Sequence, residues 1–201
     1  MLTSEQTTTW PQWSLLLIWI TLSASGVGIG ILAASILAFG VFPNGSFIAV
    51  SIVGGFVAGL IIGLAQWFLL RQLINEVGWW ILATSVGSAI GSPLGAITQA
   101  IAGNFLTGML SASLGSAMIG IIFGFLQWLI LRKKFARASI WIVATAIGNA
   151  AGSVATKTLN LGPLGNFAGE IVHGLAFGLV TGLALIWLSQ KSQREVLQEY
   201  V

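Results

Sequence analysis

The segment GLAQWFLLR, Gly63–Arg71, returns as GFLQWLILR, Gly124–Arg132, 61 residues later. Aligned without gaps, 63–91 and 124–152 share 12 of 29 positions, among them Gln66/Gln127, Trp67/Trp128, Arg71/Arg132, Trp80/Trp141, Thr84/Thr145 and Gly87/Gly148. The same offset reaches back to Trp19, Gly26 and Gly30, which match Trp80, Gly87 and Gly91. A short gap then brings Gly178 and Gly182 onto Gly120 and Gly124, and those onto Gly59 and Gly63. A fixed period of this kind means that one supersecondary unit is used several times over.

Each unit holds two long apolar runs. Six can be drawn, at 14–39, 47–70, 79–97, 107–131, 140–156 and 167–188, near the roughly 20 residues a helix needs to cross a bilayer. Only 6% of the chain is charged, against about 25% in soluble domains, too little to cover a water-facing globule. The sequence therefore predicts an all-α integral membrane protein: a six-helix transmembrane bundle made of three parallel helical-hairpin repeats, 14–73, 74–134 and 135–190, around a pseudo-three-fold axis. The whole chain forms one domain, with short tails at 1–13 and 189–201. Because a hairpin crosses the membrane twice, every copy enters from the same side, unlike inverted repeats. Pro93 is expected to kink the third run or end it early. The fifth is the shortest and carries Asn149.

Charge sets the orientation. With both termini cytoplasmic, that side holds Arg71, Arg132, Lys133, Lys134, Arg137, Lys191 and Arg194, and the other holds Lys157. This is the asymmetry of the positive-inside rule. The expected location is a bacterial inner membrane or a thylakoid membrane. No Lys or Arg precedes the first apolar run, so the N-terminal segment reads as retained rather than as a cleaved signal. The chain has no cysteine and one histidine, His173, which excludes disulfides, Cys-ligated metals and a multi-histidine site. Eight basic residues placed at helix ends do not make a nucleic-acid surface.

Several motifs bear on function. Gln66, Trp67 and Arg71, with Gln127, Trp128 and Arg132, form a candidate surface for a partner or a lipid headgroup. Trp favours the headgroup region and Arg snorkels to it, so a plain membrane anchor explains the same residues. The four-residue spacing lets each guanidinium lie over the indole. Gln66 and Gln127 fall outside the anchor reading, since an amide at that depth wants a hydrogen-bond partner on a neighbouring repeat. All nine tryptophans, Trp10 included, fall toward one side, as a girdle or as a contact surface. Gly59, Gly63, Gly87, Gly91, Gly120, Gly124, Gly148, Gly152, Gly178 and Gly182 are expected to bring helix backbones together, because lipid offers no hydrophobic drive for association.

Glu170, His173, Lys157 and Asn149 form a candidate polar site. Glu170 and His173 break the repeat, standing where the other units have Ser51/Gly54 and Ala112/Gly115. An outer-end pairing of Glu170 with Lys157 and a proton- or ligand-linked role both fit an intramembrane carboxylate. The E-x-x-H spacing is used in di-iron bundles, but those need further carboxylates on other helices, and no other acidic residue lies in an apolar run. GVGIGI, near Gly26, sits inside an apolar helix and is no phosphate loop. No catalytic, metal or cofactor constellation emerges.

The repeated pattern Q-W-x-x-L-R followed by W-x-x-A-T-x-x-G-x-x-x-G resembles that of small multi-pass bacterial membrane proteins of uncharacterised role. It is carried here by Gln66, Trp67, Leu70, Arg71, Trp80, Ala83, Thr84, Gly87 and Gly91 and their counterparts 61 residues on. The third unit departs, with Leu185 and Ile186 in place of Gln and Trp. The resemblance implies a membrane location and no particular activity. The three-hairpin plan is also similar to mitochondrial carriers, whose P-x-[DE]-x-x-[RK] signature is absent from all three units. The expectation is a non-enzymatic membrane protein that acts as a subunit or assembly partner of other membrane components. A small-solute or ion channel or transporter, and lipid binding, are the alternatives. Its partners are membrane lipid and another membrane protein, with self-association open.

Overall fold

The computed structural model describes residues 11–42, 44–74, 77–159 and 165–199. Trp10 and the outer parts of the two expected tails, 1–10 and 200–201, lie outside the described residues. Six helices follow one another: α1 Gln12–Gly40, α2 Phe47–Leu70, α3 Trp79–Ala102, α4 Gly108–Leu131, α5 Ile140–Leu159 and α6 Gly165–Glu199. No strand occurs among the described residues. Five of the six, all but α5, are long and apolar enough to cross a membrane. Thr145, Asn149, Ser153, Thr156, Lys157 and Thr158 lower the apolar content of α5.

Two helices outrun their apolar segments. α3 continues through Pro93 to Ala102 instead of ending near 97. Proline removes one ladder N–H and frees the carbonyl of Ala89, but Pro93, Ala89, Gly91 and Gly95 are all buried. In a membrane bundle, neighbouring helices shelter such a defect. α6 continues to Glu199, past the expected end at 188, because Gln, Lys, Arg, Glu and Leu are good helix formers even where hydropathy falls.

The helices make a closed ring. Each packs its backbone against its neighbours in sequence, α6 returns to α1, and among the described residues no other pair of backbones comes as close; side chains from alternate helices meet across the ring. Glycines set the spacing, and every helix presents at least one to the helix that follows. A methyl group built on Gly26 would lie 3.1 Å from Ile62 Cα, on Gly59 2.6 Å from the Thr84 carbonyl oxygen, and on Gly87 2.5 Å from Phe123 Cα. One on Gly148 would lie 3.0 Å from the Phe177 ring, and one on Gly178 2.9 Å from Ile20 Cα. Gly120 and Gly124 meet Thr145 in the same way. Backbones in such contact gain dispersion energy over their length, which is the main attraction open to helices in lipid.

One end of the ring is filled by a cluster of Trp19, Leu69, Leu70, Trp80, Leu131, Trp141, Leu185 and Leu188. The turns after α2 and α4 fold back onto it through Ile74, Val77, Phe135 and Ala138. Lys134 Nζ donates to the Leu73 carbonyl at 2.6 Å and ties these two turns together. This is the end that carries Arg71, Arg132, Lys133 and Arg137.

Candidate functional site

Trp19, Trp80 and Trp141 project from α1, α3 and α5, and all three are fully buried. Their rings meet edge to face, with centroids 6.4, 5.9 and 5.6 Å apart. The positive ring edge against the negative ring face makes this geometry favourable beyond area burial alone. Three of the nine tryptophans are therefore the centre of the bundle and not part of a girdle. Trp79, at 66% exposed, and Trp13, at 67%, do face outward.

Each buried indole N–H needs an acceptor, and the acceptors come from the even-numbered helices. Trp80 Nε1 donates to Gln66 Oε1 at 3.1 Å, and Trp141 Nε1 to Gln127 Oε1 at 2.8 Å. The amide nitrogens continue the chain: Gln66 Nε2 donates to Ser23 Oγ at 3.3 Å and Gln127 Nε2 to Thr84 Oγ1 at 2.8 Å. Gln66 and Gln127 thus clamp three helices apiece and are 1% and 0% exposed. Their expected place on a partner or headgroup surface is corrected: they are interior. Successive helical residues turn by about 100°, so Gln66 points inward, Trp67 is half-buried and Phe68 is exposed.

The third unit solves the same problem differently. Where Gln would stand is Leu185, and Trp19 Nε1 donates instead to Thr181 Oγ1 at 2.9 Å, one turn earlier on α6. The Thr181 hydroxyl in turn donates a hydrogen bond to the Phe177 carbonyl at 2.8 Å. Sequence reasoning missed Thr181; a search one turn back from the missing amide would have found it. Among the described residues, no buried side-chain nitrogen or oxygen lacks a partner.

The four residues of the expected polar site are only partly brought together. His173 Nε2 lies 3.4 Å from Asn149 Oδ1, and its ring covers Gly152, where a methyl would lie 2.6 Å from His173 Cδ2. The contact joins α5 to α6, one of the two joints that have no glutamine clamp. Asn149 Nδ2 also donates to the Thr145 carbonyl at 2.9 Å. Glu170 is half-buried and Lys157 exposed, with no ion pair between them among the described residues. Among the described residues the hydrogen-bond partner of His173 is Asn149, and the contact acts as a polar strut between helices.

The outward-facing part of the Q-W-x-x-L-R motif has its own geometry. The Arg71 guanidinium carbon lies 4.9 Å from the Trp67 ring centre and 4.6 Å from that of Phe68. Arg132 lies 5.0 Å from the Trp128 ring centre. Both arginines are exposed, and both tryptophans are half-buried. No protein-family model, curated protein or solved structure matches the chain.

Proposed function

We propose that the protein is a non-enzymatic integral membrane protein that binds other membrane components, as a subunit or assembly partner. The observation that carries this reading is the stack of Trp19, Trp80 and Trp141, whose N–H groups are all used up inside the protein. A solute moving along the ring would meet three packed indoles and no ring of carbonyls or charges of the kind that selects ions. The surface left to act is the perimeter. The expected result in liposomes is no ion or small-solute flux above empty vesicles, together with a stoichiometric partner retained on native gels after gentle extraction. Reproducible flux through the purified protein would reject the reading. It would promote a channel or transporter, for which the His173–Asn149 contact beside Glu170 is the favouring observation.

The architecture we infer is three hairpins, 14–73, 74–134 and 135–190, around a pseudo-three-fold axis, with α5 as a sixth span. Its support is the spacing of 61 between Trp19, Trp80 and Trp141, which form one stack, and between Ser23 and Thr84, which each accept from a glutamine amide. Lys157 in the last turn of α5 can snorkel to the headgroups. Both termini are cytoplasmic in a bacterial inner or thylakoid membrane, as basic-residue asymmetry and the resemblance to small bacterial multi-pass proteins suggest. Lys133→Cys and Asn104→Cys occupy exposed positions at opposite ends. Only Asn104→Cys is expected to react with an impermeant thiol reagent on intact cells; labelling of Lys133→Cys would invert the orientation.

A further inference from the structure

We infer that the end of α4 is a binding site for the phosphate of an anionic membrane lipid, built on Arg132 and Trp128, with a weaker counterpart at Arg71 and Trp67 on α2. The indole takes one face of the Arg132 guanidinium, at 5.0 Å. A stacked guanidinium keeps its in-plane N–H donors on the edge, in the fork that matches two oxygens of one phosphate. Among the described residues, neither Arg132 nor Arg71 has a hydrogen-bond acceptor or a carboxylate partner. Among those residues their donors are thus uncommitted, on exposed side chains at the depth where tryptophan marks the headgroups.

Charge ranks the two sites. Lys133 and Arg137 are exposed beside Arg132, and no acidic residue occurs from Gly124 to Gly169. Near Arg71, Lys134 is committed to the Leu73 carbonyl, and Glu76 follows Arg71 five residues later. The third unit has Ile186 and Gln190 at the matching places.

Geometry along α4 selects a lipid over a free phosphate. Ile121, Phe125, Trp128 and Arg132 fall on one helix face, spaced by four, three and four residues. Ile121 is 42% and Phe125 46% exposed, and the Phe125 ring rests 5.5 Å from that of Trp128. An apolar track thus runs from the cation into the membrane, as an acyl chain beneath a phosphate requires. On α2, Leu60, Leu64, Phe68 and Arg71 repeat the arrangement.

The test uses the full chain in neutral detergent. Phosphatidylglycerol, phosphatidylcholine with the same acyl chains, and glycerol phosphate without chains are compared by native mass spectrometry and by Tm. Phosphatidylglycerol is expected to stay bound and raise Tm with dose; the other two are not. Arg132→Ala should weaken retention about tenfold, as loss of a charge-assisted hydrogen bond does, and Arg71→Ala less. Arg132→Lys should recover only part of the loss. Both arginines are exposed, so the lipid-free Tm of the variants should match the parent's, which separates lost binding from lost folding. Equal retention of the two lipids, unchanged phosphatidylglycerol binding in Arg71→Ala/Arg132→Ala, or equal stabilisation by glycerol phosphate would each overturn the inference.

Discussion

Trp141→Ala is expected to remove about 3–5 kcal/mol of stability, the range for truncating a fully buried large aromatic. The indole is wholly buried, contacts both other indoles of the stack, and donates to Gln127 Oε1 at 2.8 Å. Its removal opens a void at the centre of the ring and takes away the donor of a glutamine that is 0% exposed, a second cost of about 1–3 kcal/mol if nothing replaces it. Trp141→Phe keeps a ring in the stack and loses the donor, so it should fall between. Trp79→Ala, one residue before the equivalent Trp80 but 66% exposed, should change stability by no more than about 0.5 kcal/mol. Equilibrium unfolding in mixed micelles, followed by far-UV circular dichroism, gives all three. Equal losses for Trp141→Ala and Trp79→Ala would mean that the stack is not the core.

Gly120→Leu is the second large effect. A methyl there already reaches the Thr145 carbonyl oxygen and lies 2.8 Å from Ala146 Cα. The obstacles are backbone atoms of α5, so no rotamer change relieves them, and the two helices must part. Overpacking of this kind costs about 3 kcal/mol or more, and here it parts the α4–α5 joint of the ring and pulls on the Trp141–Gln127 hydrogen bond across it. Gly108→Ala, at a position with nothing within 4 Å of the added methyl, should be neutral. The readouts are Tm and the monomer fraction on size exclusion in detergent. A Gly120→Leu protein with the parent's Tm would place that glycine against lipid.

The helices were legible because apolar runs of this length have one stable form in a membrane, and the spacing of 61 marked matched positions before any contact was known. Burial direction was harder. Trp19, Trp80 and Trp141 look like Trp67 and Trp128 in sequence, since all lie near one end of a helix and tryptophan suits both a core and a headgroup zone. What separates them is azimuth, and azimuth is fixed by which helices come to lie alongside. The Q-W pair shows the same limit: adjacent letters occupy different faces, so one motif splits into an interior clamp and an outer stack. Glu170 and Lys157 share an end of the bundle, and the Lys157 charge acts on Glu170 without the two forming a close ion pair. His173 and Asn149 do meet, through the close approach that Gly152 allows.

The return of α6 to α1 imposes an order on biogenesis. Trp19 is synthesised early, and the hydroxyl that accepts its N–H lies 162 residues further on. At about 5–20 residues per second of synthesis, the first helix waits roughly ten to thirty seconds in the bilayer before its closing neighbour exists. During that interval the growing chain is an open arc with a close-packing edge at each end, α1 and whichever helix came last. Two such arcs on neighbouring ribosomes present complementary edges, and an exchanged α6 between copies is the error the topology invites. Rapid insertion of the last hairpin, or a factor that covers the edge of α1 until then, is what a cell needs to make this protein as a single closed ring.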